Sequence, residues 1–494
     1  MWCSNVLLYV CMLVAVEAIN ILHITSDQQR TSTLGCYGND WAISPNIDKL
    51  ASEGTRFTDA YTASPVCSPS RTSVLLGVHV PIHGVVENGV KGYHTPMTNY
   101  FDILKKRGYH TALIGKTHYS PLPKTIDHLD VHSSNSDMRG PDVSEYDFLE
   151  TYLTNQTKAW ITNITSKKDG KPWYAYLSMV SPHNPNWVPG KWQRTYDGVK
   201  LPPLNYKQGN IGALPYQTRM LLNLLGKELD DPPAFPMGVP NMSYIDSATA
   251  QGTSTSRYDY YNQAAYVDSK VGEMMSYLEK AGLDKNTLVI FSSDHGSQMF
   301  DHGIGNDKHN FLDASWRVPL VMRFPGVLPA NTTRSFASTL DITATIVSVA
   351  GAAIPASWQG FDLVGPISQG KQSPRQVGIG TEYRAHAIAT PSWKLSYFPE
   401  EGEGRLFNRK ADPEEQFDLF NSTEHSTVKY GLLTALLRWR AQQDPLQWLQ
   451  TNSKPGAQTA TLAYNHTEGI NAIDAEVRLQ SDALNFEIVD HLHV

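Results

Sequence analysis

Four stretches of this 494-residue chain share one construction: a short apolar, β-branched run that stops abruptly at polar residues capable of chemistry. Residues 19–26 (Ile19-Asn20-Ile21-Leu22-His23-Ile24-Thr25-Ser26) stop at Asp27-Gln28. Residues 109–115 stop at Lys116-Thr117-His118, 173–180 at Ser181-Pro182-His183, and 287–293 at Asp294-His295. Near-continuous apolar runs of this length mark strands buried on both faces, as in a parallel sheet. Helical spacing lies between them, over 148–164, over 258–281 (Ala265, Val267, Val271, Met274, Leu278) and over 338–349. Strands alternating with helices predict an α/β fold, a large mixed, mostly parallel sheet sandwiched by helices. In open sheets of this kind ligands bind at the carboxyl ends of the strands. Four such ends carrying carboxylate, amide, imidazole and ammonium groups predict a site for a charged ligand.

Smaller features fill in the plan. Ser44-Pro45 opens a helix as N-cap and first residue. Residues 99–107 read as a helix closed by Gly108, and 317–324 as a further strand. Residues 119–143 and 186–257 are polar or rich in Pro, Gly and Asn, and read as long loops that wall the pocket. After about residue 375 the pattern becomes short strands split by turns, over 387–390, 393–398 and 404–408, followed by a closing helix over 428–440. This predicts a smaller C-terminal antiparallel sheet subdomain. The expected organisation is a signal peptide at 1–18, a catalytic domain at 19–375 and a C-terminal α+β subdomain at 376–494.

The signal reading rests on the apolar run 6–16 and on the small residues of Val16-Glu17-Ala18, with cleavage after Ala18. The run is shorter than the ~20 apolar residues of a membrane span, so no stable span is expected. Sequons at Asn155, Asn163, Asn241, Asn331, Asn421 and Asn465 agree with export and are the expected glycosylation sites. Of four cysteines, Cys3 and Cys11 fall in the signal segment, which leaves Cys36 and Cys67. A net charge of −7 lacks the basic excess of a nucleic-acid binder. The destination is the secretory pathway, secreted or lysosomal.

Around Cys67 the chain reads Ala63-Ser64-Pro65-Val66-Cys67-Ser68-Pro69-Ser70-Arg71-Thr72-Ser73-Val74-Leu75-Leu76-Gly77. Pro69 is compatible with the first turn of a helix. Cys67 then stands at the helix N-terminus, where free N–H groups favour an anion. Arg71, one turn on, adds a planar cationic fork. A reactive group, an anion-attracting helix end and an arginine predict a site for an oxyanion such as sulfate or phosphate. Asp27, Gln28, Asp294 and His295 supply oxygen and imidazole donors suited to Ca²⁺ or Mg²⁺, with room for Mn²⁺ or Zn²⁺.

Cys67-Ser68-Pro69-Ser70-Arg71, followed by Leu75-Leu76-Gly77, resembles the motif of the type I sulfatases, of the alkaline-phosphatase-like superfamily. The resemblance implies that a formylglycine-generating enzyme oxidises Cys67 to formylglycine, whose hydrated aldehyde attacks sulfur. It implies one Ca²⁺ ion, with Mg²⁺ or Mn²⁺ as substitutes, held by Asp27, Gln28, Asp294, His295 and the modified Cys67. Here Gln28 stands where the family usually has a second Asp, which keeps an oxygen ligand and removes a charge. Gly115-Lys116-Thr117-His118 is similar to a family motif whose Lys contacts sulfate and whose His bonds formylglycine. Pro182-His183-Asn184-Pro185 is similar to one whose His lies near the leaving oxygen. Lys308, between Asp301-His302-Gly303 and Arg317-Val318-Pro319-Leu320, matches a second sulfate-binding Lys; His302 matches a common family His and otherwise reads as a surface residue. The implied catalytic set is Cys67, Arg71, Lys116, His118, His183 and Lys308, with Lys116, His183 and Lys308 binding substrate. The implied reaction is hydrolysis of sulfate esters of small molecules or carbohydrates, with phosphodiesterase or phosphonate monoester hydrolase as the alternative. Gly35-Cys36-Tyr37-Gly38 and Ser44-Pro45-Asn46-Ile47-Asp48 resemble iduronate-type and microbial carbohydrate sulfatases, which favours carbohydrate sulfates, and Glu382-Tyr383-Arg384 is expected to help set specificity.

Overall fold

The computed structural model describes residues 19–94, 96–132, 144–203, 205, 257–299, 301–303 and 308–443. The expected signal segment, with Cys3 and Cys11, and the sequons Asn241 and Asn465 lie outside these residues.

Among the described residues eight strands form the main sheet: β1 Asn20–Ser26, β2 Thr55–Tyr61, β3 His110–Gly115, β4 His128–Val131, β5 Trp173–Ser178, β6 Thr287–Ser293, β7 Leu320–Arg323 and β8 Asn331–Ser338. Their order is β4-β3-β5-β1-β6-β7-β2-β8. The block β4-β3-β5-β1-β6 is parallel throughout, with Leu22 of β1 opposite Ala175 on one side and Val289 on the other. β7 runs antiparallel to both neighbours, and β2 and β8 pair parallel to each other.

Side chains of a strand alternate between the faces of its sheet, and both faces here are covered. Ile21, Leu113, Leu288 and Ile290 point to one layer, packed under α2 (Cys67–Leu76), α3 (Tyr100–Lys106) and α6 (Thr339–Val349). Leu22, Ile24, Val289 and Phe291 point to the other, under α1 (Pro45–Ser52), α4 (Leu149–Ser166) and α5 (Arg257–Lys280). On α5 the fully buried stripe is Val267, Val271, Met274 and Leu278, at helical spacing. Burying each of these side chains contributes roughly 1.5–3 kcal/mol.

A second sheet is antiparallel, with β9 (Gly378–Glu382), β10 (Ala385–Ala389), β11 (Trp393–Phe398) and β12 (Glu403–Asn408) in the order β12-β11-β10-β9. Helix α7 (Ser426–Ala441) packs Leu432, Leu436 and Trp439 on Ile388, Leu395 and Leu406 of this sheet. The two sheets are joined by the Thr381 N–H donating to the Ala63 carbonyl (2.9 Å) and by Lys394 bonded to Asp313 (2.8 Å).

Several expectations are corrected. Residues 119–143 do not form one surface loop, because β4 within them pairs with β3 as an edge strand. Its four residues, His-Leu-Asp-Val, carry no apolar run to announce it. β2, β8 and β9 also add strands that the sequence pattern did not show. Ser44 precedes α1 but its hydroxyl does not cap it. It accepts from Gly35 N–H (2.8 Å) and bonds Asp48 (3.0 Å), while Asp268 of α5 accepts from the N–H groups of Asn46 (3.1 Å) and Ile47 (2.7 Å). Among the sequons, Asn163 and Asn421 are exposed and Asn155 is half-buried on α4; the side chain of Asn331 is outside the description. Among the described residues no helix is long and apolar enough to cross a membrane.

Candidate active site

β3, β5, β1 and β6 are consecutive in the sheet and parallel, so their carboxyl ends share one edge. The backbone stays hydrogen-bonded past those ends: Lys116 N–H donates to Ser178 (2.8 Å), Asp27 N–H to Ser181 (3.2 Å) and Asp294 N–H to Ser26 (3.3 Å). The residues that follow each strand are therefore held in register with one another.

Cys67 is the first residue of α2, with Val66 extended before it and Gly77 (φ +68°) ending the helix. Both Cys67 and Arg71 are buried. Arg71 reaches Asp294 through Nε (2.8 Å) and Asp27 through a terminal nitrogen (2.9 Å). Its other terminal nitrogen donates to the Lys116 carbonyl (3.1 Å) and the Ser178 hydroxyl (2.7 Å). Lys116 Nζ lies 2.6 Å from Asp27 Oδ2. Lys308 Nζ lies 3.0 Å from Gln28 Oε1, 3.2 Å from Cys67 Sγ and 3.2 Å from His183 Nε2. Cys67 Sγ is 3.0 Å from His295 Nε2 and 3.9 Å from Asp27 Oδ1. Gln28 takes a left-handed backbone (φ +66°), which turns its N–H onto Asp294 Oδ1 (3.0 Å). Strain of this kind costs about 1–3 kcal/mol and concentrates at functional sites.

Three cations therefore face two carboxylates around one sulfur. Burial opposes charge on Cys67, yet Lys308, Lys116, His295 and a hydrogen bond from His118 outweigh it and hold the thiol well below its ordinary range. Burial and the neighbouring sulfur would raise the Asp27 carboxyl, but Lys116, His183 and Arg71 hold it below the usual carboxylate range. Burial works against the Lys308 ammonium, and Cys67, Asp27 and Asp294 more than restore it, so its pKa is raised. With an uncharged group at residue 67, the three cations exceed the two carboxylates by one charge, which suits an anionic ligand.

The donor chemistry also fits a metal ion. Asp27, Cys67, Asp294 and His295 are buried, and each offers one ligand atom within 4.8 Å of the others. His295 Nδ1 is bonded to the Gly296 carbonyl (2.8 Å), which leaves the Nε2 lone pair facing the cluster. Two carboxylates, an imidazole and a sulfur or oxygen at residue 67 suit a divalent cation.

All the residues expected at the site from the ends of the four strands, together with Cys67, Arg71 and Lys308, converge here. His118 and His183 are half-buried at its mouth. His302 is no surface residue: it is buried, with Nε2 3.3 Å from Asn205, and burial pushes its pKa down to about 4. Glu382 of β9 reaches His309 Nδ1 (2.8 Å), beside Lys308, whereas Tyr383 and Arg384 point to the surface and Arg384 pairs with Glu400. Sequence reasoning passed over Gln263, Glu150 and Tyr260, whose contacts with the strand-end loops span long stretches of chain and leave no local signal.

A cation-rich, metal-ready cradle at the strand ends of an α/β sheet defines an enzyme that works on an oxyanion. Residues 19–352 match the family model described as Sulfatase, and residues 301–442 match that described as N-sulphoglucosamine sulphohydrolase, C-terminal. The chain belongs to the sulfatase family. It is 26% identical to an N-acetylglucosamine-6-O-sulfatase of Bacteroides thetaiotaomicron, over 84% of this chain and 85% of that one. It is 27% identical to a choline-sulfatase of Rhizobium meliloti, over 85% and 86%. The crystal structure of the phosphonate monoester hydrolase of Agrobacterium radiobacter superposes with a TM-score of 0.71 at 22% identity, covering 86% of this chain and 96% of that one. This last likeness shows the fold alone.

Proposed function

We propose that the chain hydrolyses sulfate esters of carbohydrates, using residue 67 as formylglycine and a single divalent cation, Ca²⁺ in the first instance. The observation that carries the reading is the convergence of Arg71, Lys116 and Lys308 with Asp27 and Asp294 on the Cys67 sulfur. Hydrated formylglycine at 67 supplies a hydroxyl oxygen that bonds to sulfur while the bond from sulfur to the alcohol oxygen breaks, and it later releases sulfate by returning to the aldehyde. Asp27, Gln28, Asp294, His295 and residue 67 would hold the cation, which would supply Lewis-acid charge to the site.

The chain's own residues do the rest. Arg71 fixes both carboxylates, and Lys116 and Lys308 neutralise the sulfuryl oxygens, so that catalysis is chiefly preorganised electrostatics. The His183–Lys308 pair gives a proton to the departing alkoxide. His118, which bonds residue 67, takes the proton whose loss lets sulfate leave. The N-acetylglucosamine-6-O-sulfatase relative supports a sugar sulfate as substrate. Exposed Asn163 and Asn421 support maturation in the secretory pathway, where a formylglycine-generating enzyme would act before secretion or lysosomal delivery.

The test is a mass spectrum of the peptide spanning Cys67, paired with a panel of sugar sulfates, choline sulfate and aryl sulfate. The aldehyde mass is expected, together with the highest kcat/KM on a sugar sulfate and loss of turnover in Cys67→Ala with the fold intact. Active protein carrying only thiol would end the formylglycine reading. Faster hydrolysis of an aryl phosphonate than of any sulfate would favour the phosphonate chemistry of the fold neighbour instead.

A further inference from the structure

His183 is carried by a loop, and the loop needs a holder. Residues 181–186 follow β5, and one buried side chain bonds both ends of this loop. Gln263, fully buried on α5, donates from Nε2 to Ser181 Oγ (2.9 Å) and accepts at Oε1 from Asn186 Nδ2 (2.7 Å). Asn186 in turn donates to the Pro182 carbonyl (2.6 Å), closing the loop on itself. Ser181 N–H donates to Glu150 Oε1 (2.9 Å), and the Ser181 carbonyl accepts from Asp27 N–H (3.2 Å).

One turn earlier on the same face of α5, Tyr260 grips the other strand-end loop. Its hydroxyl donates to the Gln28 carbonyl (2.7 Å) and accepts from Arg30 N–H (3.0 Å). Residues three apart on a helix are neighbours on its surface. The start of α5 is thus a rigid two-point holder: Tyr260 for the loop bearing Asp27 and Gln28, Gln263 for the loop bearing His183.

We propose that Gln263 is a positioning residue for proton delivery, setting His183 against Lys308 and the leaving oxygen. The inference rests on the reading of His183 as part of the acid. Among the described residues Gln263 bonds Ser181 and Asn186 and not residue 67, so its effect is carried by the loop. A displacement of about 1 Å in a catalytic group can cost on the order of 10²-fold.

The experiment uses the full chain and a series of aryl sulfates from 4-nitrophenyl sulfate to phenyl sulfate, whose leaving phenolates need a proton increasingly. Gln263→Met keeps the volume and removes both hydrogen bonds. Its kcat on phenyl sulfate is expected to fall on the order of 30-fold and on 4-nitrophenyl sulfate less than about 5-fold, with KM nearly unchanged. His183→Ala should show the same steepened dependence on leaving group, and the double variant should be no worse than His183→Ala alone. A purely structural role for Gln263 would lower all rates by one factor, and that result overturns the proposal. Should Gln263→Met fail to fold, Ser181→Ala removes one of the two bonds and is expected to shift the dependence in the same sense, by less; an unchanged dependence there counts against the clamp. If His183→Ala shows no steepening, the reading of His183 falls and the clamp falls with it. Steepening in His183→Ala without any in Gln263→Met or Ser181→Ala overturns the clamp alone.

Discussion

Arg71 joins two carboxylates through one planar group, and both partners are as buried as it is. Lysine in its place would bring one ammonium instead of a fork, and could satisfy one carboxylate at most. Asp27 would keep Lys116 as a partner, but Asp294, if the lysine stayed with Asp27, would remain charged and desolvated with only the Gln28 and His295 N–H groups to bond it, a situation that costs about 3–5 kcal/mol when a buried pair is broken. Arg71 also ties the Lys116 carbonyl and the Ser178 hydroxyl to the same centre, so the loss would spread to the end of β3 and to Lys116. Arg71→Lys is therefore expected to lose about 3 kcal/mol of stability in urea unfolding and at least about 10²-fold in kcat/KM. A variant that unfolds like the wild type and keeps a tenth of its activity would show that the two carboxylates do not depend on this fork.

At the scale of the elements, the critical junction is the end of β3. Gly115 has φ +109°, and a Cβ there would lie 1.9 Å from the Ser178 carbonyl oxygen of β5. That carbonyl accepts the Lys116 N–H, so the strands close on each other where Lys116, proposed above to bind sulfate, begins. Gly115→Ala must push β3 off β5 and carry Lys116 and His118 with it. It is expected to cost about 3 kcal/mol in thermal or urea unfolding and to remove most activity; near-normal kcat would mean that strand register does not set Lys116. The same junction shows what a reader of the sequence can and cannot see. β6 is observed at 287–293 as its apolar run predicts, and β1, β3 and β5 start or end within two residues of theirs. Each run and its polar stop are local facts of composition, so the four strand ends were legible. Their neighbour order, β3-β5-β1-β6, was not, because nothing in a strand names its partner. β2 escaped notice because Arg56 and Asp59 interrupt its apolar pattern; the structure places Arg56 over the Tyr37 ring and pairs Asp59 with Arg409, 350 residues on. The cap of α1 from Asp268 and the hold of Gln263 on Ser181 span 222 and 82 residues, beyond any pattern of local spacing. Lys308 was reached through family resemblance alone, since by itself it reads as an ordinary solvated lysine.

For the molecule as a whole, the buried histidines set how stability answers to pH. His23 lies within the sheet, stacked on Tyr176, and burial together with the Arg71 charge pushes its pKa down to about 3. His83 is pushed down to about 3 by burial and by His94. Its Nδ1 accepts from Val85 N–H (3.1 Å) and its Nε2 bonds Ser73 (2.8 Å), so a second ring proton would face a donor. In the unfolded chain both rings titrate near the ordinary value of about 6.5. The unfolded state therefore binds protons that the folded state refuses, and stability is fully present above that value and lost as pH falls below it. Between pH 7 and pH 5 each ring costs about 2 kcal/mol by this linkage. His302 and His386, both pushed down to about 4 by burial, act in the same sense. Asp268, raised by burial to about 6, acts in the opposite sense, because the folded state takes up its proton first. It returns about 1 kcal/mol over the same range, which leaves a net loss. Asp27 and Asp313, held low by their cationic neighbours, lose their contribution only at still lower pH. Urea unfolding at pH 7, 6 and 5 should show stability falling steadily, and His83→Gln, which keeps a donor for Ser73 but has no ring to charge, should flatten the slope between pH 5 and 6 by about one proton, or 1.4 kcal/mol per pH unit. Equal slopes for the two proteins would mean that His83 accepts its proton within the fold, against the donor that Val85 presents to it.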